Sequence, residues 1–116
     1  SDEDNLATIH AELFEGVQAL SDATDWILST DNPSSVMAVS VDYMMLAGYV
    51  CGGWLMARPA LAAQSNLAAS KEMEFNNSKL ITARFYAEHV LPKTVGLLHS
   101  IQNGGESILA LAEEDF

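Results

Sequence analysis

The side chains in this sequence that most readily transfer protons, bind metals or attack electrophiles are three histidines and one cysteine, namely His10, His89, His99 and Cys51. A di-iron site in a helical bundle requires a glutamate three residues before a histidine on two facing helices. No histidine here has a glutamate at that position, which is occupied by Ala7, Tyr86 and Gly96. A single cysteine provides neither a zinc site nor an internal disulfide, and no glycine-rich loop follows a strand pattern.

Structural roles explain these four side chains more simply. His10 and His99 lie near the edges of apolar stripes and His89 follows the charged Glu88, so we expect ordinary helix positions for all three. Cys51 has apolar and glycine neighbours, which predicts a buried, unreactive thiol. A lone histidine also lacks the second group that acid–base catalysis requires. We therefore predict no catalytic, cofactor-binding or metal-binding residue in this chain.

The composition predicts one folded, acidic domain over residues 1–116. Hydrophobic residues make up 49% of the chain and charged residues 18%, and this length is sufficient to bury one core. The net charge is −11, and no Lys or Arg precedes Arg58. Such a field repels nucleic-acid phosphates and anionic lipids, so neither is an expected partner.

The first residues indicate the origin of the chain. Ser1 is followed by three acidic residues, the reverse of a secretory signal, which together with the single cysteine favours a reducing cytoplasm. Nothing before Leu6 resembles a natural start, which points to a piece of a longer polypeptide.

Apolar residues at heptad spacing predict a long first helix. Leu6, Leu13, Leu20 and Ile27 recur every seven residues, the pattern of a helix that packs lengthwise on another. The polar cluster at 31–34 ends this helix, because its proline disfavours helical geometry in the preceding residue and suits the first turn of the next helix.

Residues 36–63 are apolar almost all round, with Asp42 and Arg58 as their only charges, which predicts a central helix buried on most faces. The uncharged run between these charges is shorter than the ~20 residues of a membrane span. Pro59 lacks a backbone donor, so we expect the segment to break or kink there into two consecutive helices. Gly48 and Gly52 lie one turn apart and predict close approach of a neighbouring helix.

The last long helix is predicted to follow a polar connection at 71–77. Its cap is available from Asn76, Asn77 or Ser78. An apolar stripe continues from Leu80 to Ile101 across Pro92, which we expect to bend the helix, and the glycines at 104–105 predict a left-handed C-cap. Residues 106–112 are compatible with a short helix. The predicted fold is an all-α, up-and-down bundle of three long helices, or about four when the middle one is divided near Pro59.

Methionine and aromatic side chains allow two interpretations. The methionines of the central segment are expected to fill the core, with an adaptable binding surface as the alternative. The aromatic residues are expected at the core or an interface, with stacking on a planar cofactor as the alternative. These residues are Met37, Met44, Met45 and Met56, and Trp54, Phe85 and Tyr86.

The sequence resembles the extreme C-terminus of a long subgroup of bacterial acyl-CoA dehydrogenases. The resemblance covers nearly the whole chain and is most specific from Gly52 onward. It is carried by the GWLMAR run at 53–58, by KLITARFYAEHVLP at 79–92, by the glycine pair at 104–105 and by LALAEEDF at 109–116. In that subgroup, a helical domain follows the usual three.

The resemblance implies a parent flavoenzyme that binds FAD, removes a proton and a hydride from an acyl-CoA thioester and passes electrons to a carrier flavoprotein. The family's catalytic glutamate and flavin contacts match no position in this chain, so the fragment alone is expected to be inactive. We expect it to pack on the catalytic body or on its own copy in a homo-oligomer, narrowing access to the acyl-CoA site, through a surface around the aromatic cluster at 84–86. The alternatives are an independent adaptor that binds another protein through the same face, and a small enzyme with a polar cluster in a pocket.

Overall fold

The heptad pattern at the start of the chain forms a single helix, α1 (Asp2–Ser29), in a computed structural model that describes residues 2–68, 73–104, 107, 110 and 111. A short helix, α2 (Pro33–Ala38), follows. The Asn32 side chain caps it by accepting a 3.0 Å hydrogen bond from the amide of Ser34. Pro33 occupies the first turn, where backbone amides have no hydrogen-bond acceptor within the helix, so the missing amide hydrogen of proline costs no helical hydrogen bond.

The central segment continues as α3 (Ser40–Ala68), which is not broken at Pro59. The interruption lies at Val39 instead, between α2 and α3. Pro59 leaves the carbonyl of Leu55 without its helical donor. Because Leu55 lies on the exposed side of α3, water can satisfy that carbonyl and the helix continues.

α4 (Met73–His89) begins earlier than the polar character of residues 71–77 predicts. Asn76 is not a cap, because it lies inside the helix and is buried. Its side-chain oxygen accepts a 3.5 Å hydrogen bond from the amide group of Asn66 on α3. Asn76, which the sequence suggests as a capping residue, therefore forms a buried contact between α3 and α4.

A three-residue turn at Pro92 separates α4 from α5 (Lys93–Asn103). The Tyr86 carbonyl accepts hydrogen bonds from both Val90 and Leu91, and the next three amides bond three residues back rather than four. Pro92 keeps right-handed helical dihedral angles. The prediction that Pro92 only bends the helix is therefore wrong, because the helical hydrogen bonds are interrupted and α4 ends before the proline.

Two clusters of buried side chains lie at opposite ends of the bundle. One joins the first half of α1, the second half of α3 and α4 through Ile9, Ala60, Ala63, Leu80, Ala83, Ala87 and Leu91. The other joins the second half of α1, the first half of α3 and α5 through Ala19, Ala23, Val39, Leu46, Val50 and Ile101. α3 thus runs antiparallel to α1. α4 and then α5 run in the direction of α1, antiparallel to α3. The predicted all-α, up-and-down bundle is confirmed.

The last long helix ends at Asn103, but not with the predicted left-handed cap at Gly104. Gly104 has right-handed dihedral angles (φ −91°, ψ −18°), and its amide bonds to the carbonyl of Ser100. Gly105 and most of the short helix predicted at 106–112 lie outside the described residues.

Candidate docking surface

α3 carries apolar residues on two opposite faces. The inner stripe faces α1, α4 and α5 and consists of Leu46, Val50, Gly53, Ala57 and Ala60. The outer stripe faces away from them and consists of Val41, Met44, Gly48, Cys51, Leu55 and Ala62. Successive helical residues rotate by about 100°, so positions two apart, such as Met44 and Leu46, lie on opposite faces. This explains why the segment is apolar all round although only one face is buried.

The outer stripe overturns two expectations about burial. Met37 and Met44 are 76% and 72% exposed, and Met45 is also exposed, while Met56 packs against the core. Cys51 is exposed rather than buried. Apolar neighbours in the sequence do not determine whether a helical side chain is buried, because adjacent residues such as Val50 and Cys51 point in directions about 100° apart. The three exposed methionines therefore fit the alternative of an adaptable binding surface, while Met56 fits the expected core role.

The glycines of α3 serve different purposes. A Cβ atom at Gly52 would clash with the Tyr86 hydroxyl, which donates a 2.8 Å hydrogen bond to the Tyr49 carbonyl. A Cβ atom at Gly53 would lie 2.9 Å from Leu91 Cδ2. At Gly48 nothing lies within 4 Å. The predicted close approach is therefore real at Gly52, but nothing among the described residues approaches Gly48.

The predicted cluster at 84–86 does not form one surface. Arg84 points toward α1 and donates hydrogen bonds to Asn5 (2.9 Å) and Glu88 (3.2 Å). Phe85 points outward, with its ring centroid 4.4 Å from that of His89. Tyr86 points inward against Gly52. Consecutive helical residues diverge, so the outer stripe of α3 replaces this cluster as the candidate surface.

The charges beside the outer stripe are few. Arg58 lies at its C-terminal half, with the guanidinium carbon 4.9 Å from the centroid of the Trp54 ring. Trp54 is itself 52% exposed and extends the apolar surface along one flank. A guanidinium over an indole face is held in place by cation–π attraction. The surface is therefore apolar with one fixed positive charge near one end.

The histidines occupy exposed helix positions. His89 stacks on Phe85, and Asn103 donates a 3.0 Å hydrogen bond to the backbone carbonyl of His99. His10 borders an apolar groove between α1 and α3 of about 350 Å³, lined also by Leu6, Ala7, Ile9, Leu13, Ala57 and Leu61. Within the described ranges, no three His, Cys, Asp or Glu side chains lie close enough to hold a metal ion. Nor is any of the described helices long and apolar enough to cross a membrane.

Acidic side chains lie near one another where α1 faces α4. Burial raises the pKa of Glu12, and the negative charges of Glu15 and Glu88 raise it further. A raised carboxyl pKa marks a site where another negative charge is unfavourable.

The described residues thus form an all-α helical bundle with an exposed apolar face on its central helix. Residues 1–112 match the family model described as acetyl-CoA dehydrogenase C-terminal like, and the chain belongs to that family. It is 33% identical over 103 residues to a 3-methylmercaptopropionyl-CoA dehydrogenase of Ruegeria pomeroyi. That match covers 87% of this chain and 18% of the relative, so the chain spans about a fifth of the relative's length. No solved structure matches it.

Proposed function

We propose that this chain is the non-catalytic C-terminal helical domain of an FAD-dependent, cytoplasmic acyl-CoA dehydrogenase, and that its role is packing and assembly. The parent reaction is the α,β-dehydrogenation of an acyl-CoA thioester. The observation that carries the proposal is the outer stripe of α3, an exposed apolar face on a domain whose family is defined by its place at the C-terminus of these enzymes. Apolar surface of this extent favours contact with another protein surface.

The arrangement of cations supports assigning FAD to another part of the parent. A flavin dinucleotide needs donors that converge on its pyrophosphate. Each of three cations among the described residues contacts a different neighbour instead. Lys79 lies 4.7 Å from the Phe75 ring, Lys93 lies 6.0 Å from the Tyr49 ring, and Arg84 pairs with Glu88. These contacts are local to each cation and form no shared set of donors.

An independent adaptor domain is the second candidate, since the same outer stripe suits a helix from an unrelated protein. The two candidates differ in what the coding sequence contains. An adaptor needs no catalytic body in the same polypeptide. A C-terminal domain of a dehydrogenase requires one.

Flavin content distinguishes the two candidates. The 116-residue chain and the polypeptide encoded by its whole reading frame are purified in parallel, and their flavin absorbance and acyl-CoA-dependent dye reduction are measured. We expect both signals in the long polypeptide and neither in the short chain. A long polypeptide without flavin, or a short chain that reduces the dye, would refute the proposal.

A further inference from the structure

We propose that a pocket between α3 and α4 binds a small apolar α-amino acid, with its ammonium group on the Leu55 carbonyl and its carboxylate on Lys79. The pocket has a volume of about 270 Å³ and is lined by Met56 and Pro59 of α3 and by Phe75, Ser78, Lys79 and Thr82 of α4. This inference goes beyond the packing role proposed above and does not depend on it.

Pro59 gives the α3 wall of the pocket its hydrogen-bond acceptor. Proline is the least favourable residue in a helix interior, yet α3 continues through it, and Pro59 belongs to neither cluster of buried side chains. A broken local rule without a gain in packing is typical of functional sites. The helical hydrogen bond that the Leu55 carbonyl lacks would have ended at residue 59, so this free acceptor lies beside the proline ring, at the edge of the pocket.

The α4 wall carries the donors. The Lys79 amine lies 4.7 Å from the centroid of the Phe75 ring, which holds the positive charge at the pocket. The hydroxyls of Ser78 and Thr82 have no hydrogen-bond partner among the described residues. None of the six lining residues is acidic. This wall therefore suits a carboxylate, which accepts hydrogen bonds from an ammonium group and from hydroxyls.

The size and the apolar lining of the pocket limit the rest of the ligand. A volume of about 270 Å³ is the space of about nine water molecules at ~30 Å³ each. It lies just below the ~300–1,000 Å³ of sites for drug-sized ligands, so a nucleotide or coenzyme is too large. Met56 and Phe75 offer apolar surface to a single side chain of the ligand.

Charge favours a zwitterion over a simple anion. The chain has a net charge of −11, and its field repels a ligand with a net negative charge. An amino acid has no net charge, and its two charged groups match an acceptor on one wall and a cation on the other. The end of a peptide carries only one of these groups. The geometry of the pocket thus points to a free amino acid.

Titration of the 116-residue chain with L-phenylalanine, followed by NMR amide shifts, tests the site. We expect saturable shifts at residues 75–82 and a dissociation constant on the order of 1 mM, as is usual for a ligand of this size. N-acetyl-L-phenylalanine lacks the ammonium group and L-phenylalaninamide lacks the carboxylate. Each should bind about fivefold more weakly, the usual value of one exposed charge pair.

Two variants remove the two polar contacts separately. Lys79→Gln should raise the dissociation constant of L-phenylalanine about fivefold and leave that of the amide unchanged, because the amide has no carboxylate to lose. Pro59→Ala supplies an amide hydrogen to the Leu55 carbonyl. It should raise the thermal midpoint of unfolding, weaken the binding of L-phenylalanine and leave that of the N-acetyl compound unchanged.

Lys93→Gln is the matched control, since Lys93 also lies over an aromatic ring, 6.0 Å from the centroid of Tyr49, but does not line the pocket. It should bind L-phenylalanine as the natural chain does. The absence of saturable shifts, shifts centred outside the pocket, or unchanged binding in both Lys79→Gln and Pro59→Ala would overturn the proposal. None of these measurements involves flavin or assembly, so this site and the packing role can fail separately.

Discussion

Replacing Leu80 by alanine is expected to lower the free energy of unfolding by about 3 kcal/mol, the usual cost of removing a buried leucine side chain and leaving a cavity. Leu80 is 0% exposed and lies in the cluster that joins α1, α3 and α4. Domains of this size have about 5–15 kcal/mol in total, so the loss is a large share of the stability. Urea denaturation followed by circular dichroism measures it.

The adjacent residue provides the control. Ile81 is 63% exposed, so Ile81→Ala should change the free energy of unfolding by less than about 0.5 kcal/mol. Equal losses in the two variants would contradict the assignment of Leu80 to the core and Ile81 to the surface.

Introducing leucine at Gly53 is expected to destabilise the fold by about 3 kcal/mol or more. Its Cβ atom alone would lie 2.9 Å from Leu91 Cδ2 and 3.2 Å from Leu13 Cδ1. Leu91 is almost fully buried, so neither the new side chain nor its neighbours have space to move. Overpacking of this kind forces the backbone to shift, which destabilises the fold. Thermal unfolding in dilute solution measures the change.

Gly48→Leu is the matched variant on the opposite face of the same helix. Nothing lies within 4 Å of an added Cβ atom there, and replacing an interior helical glycine gains about 0.5–1 kcal/mol. We therefore expect Gly48→Leu to be as stable as the natural chain or slightly more so. A comparable loss at both glycines would contradict the two-faced description of α3.

Helical periodicity alone was sufficient to predict the bundle. Two segments each have one apolar face, namely the heptad of Leu6, Leu13 and Leu20 and the stripe from Leu80 to Ile101. A single apolar face on a helix predicts which side is buried. The positions of the interruptions were harder to predict. Pro59 and Pro92 have the same local chemistry, yet only Pro92 divides a helix, because packing on α1 and α3 and access to water decide how each proline is accommodated.

The candidate surface could not be located from the sequence for a related reason. α3 has apolar residues all round, so periodicity could not separate Met44, which faces solvent, from Leu46, which is buried. The same ambiguity led to the wrong prediction that Cys51 is buried. Which side of an apolar helix is covered depends on where the other helices pack, and that information lies in the tertiary structure.

The central claim is that this domain supports the assembly of a dehydrogenase and takes no direct part in its chemistry. Its most direct test removes residues 1–116 from the long polypeptide and compares the oligomeric state, retained flavin and acyl-CoA turnover of the two forms. We expect the shortened enzyme to lose its native assembly state and to retain less flavin, with turnover falling in proportion to the flavin lost. Unchanged assembly, flavin and turnover would contradict the claim.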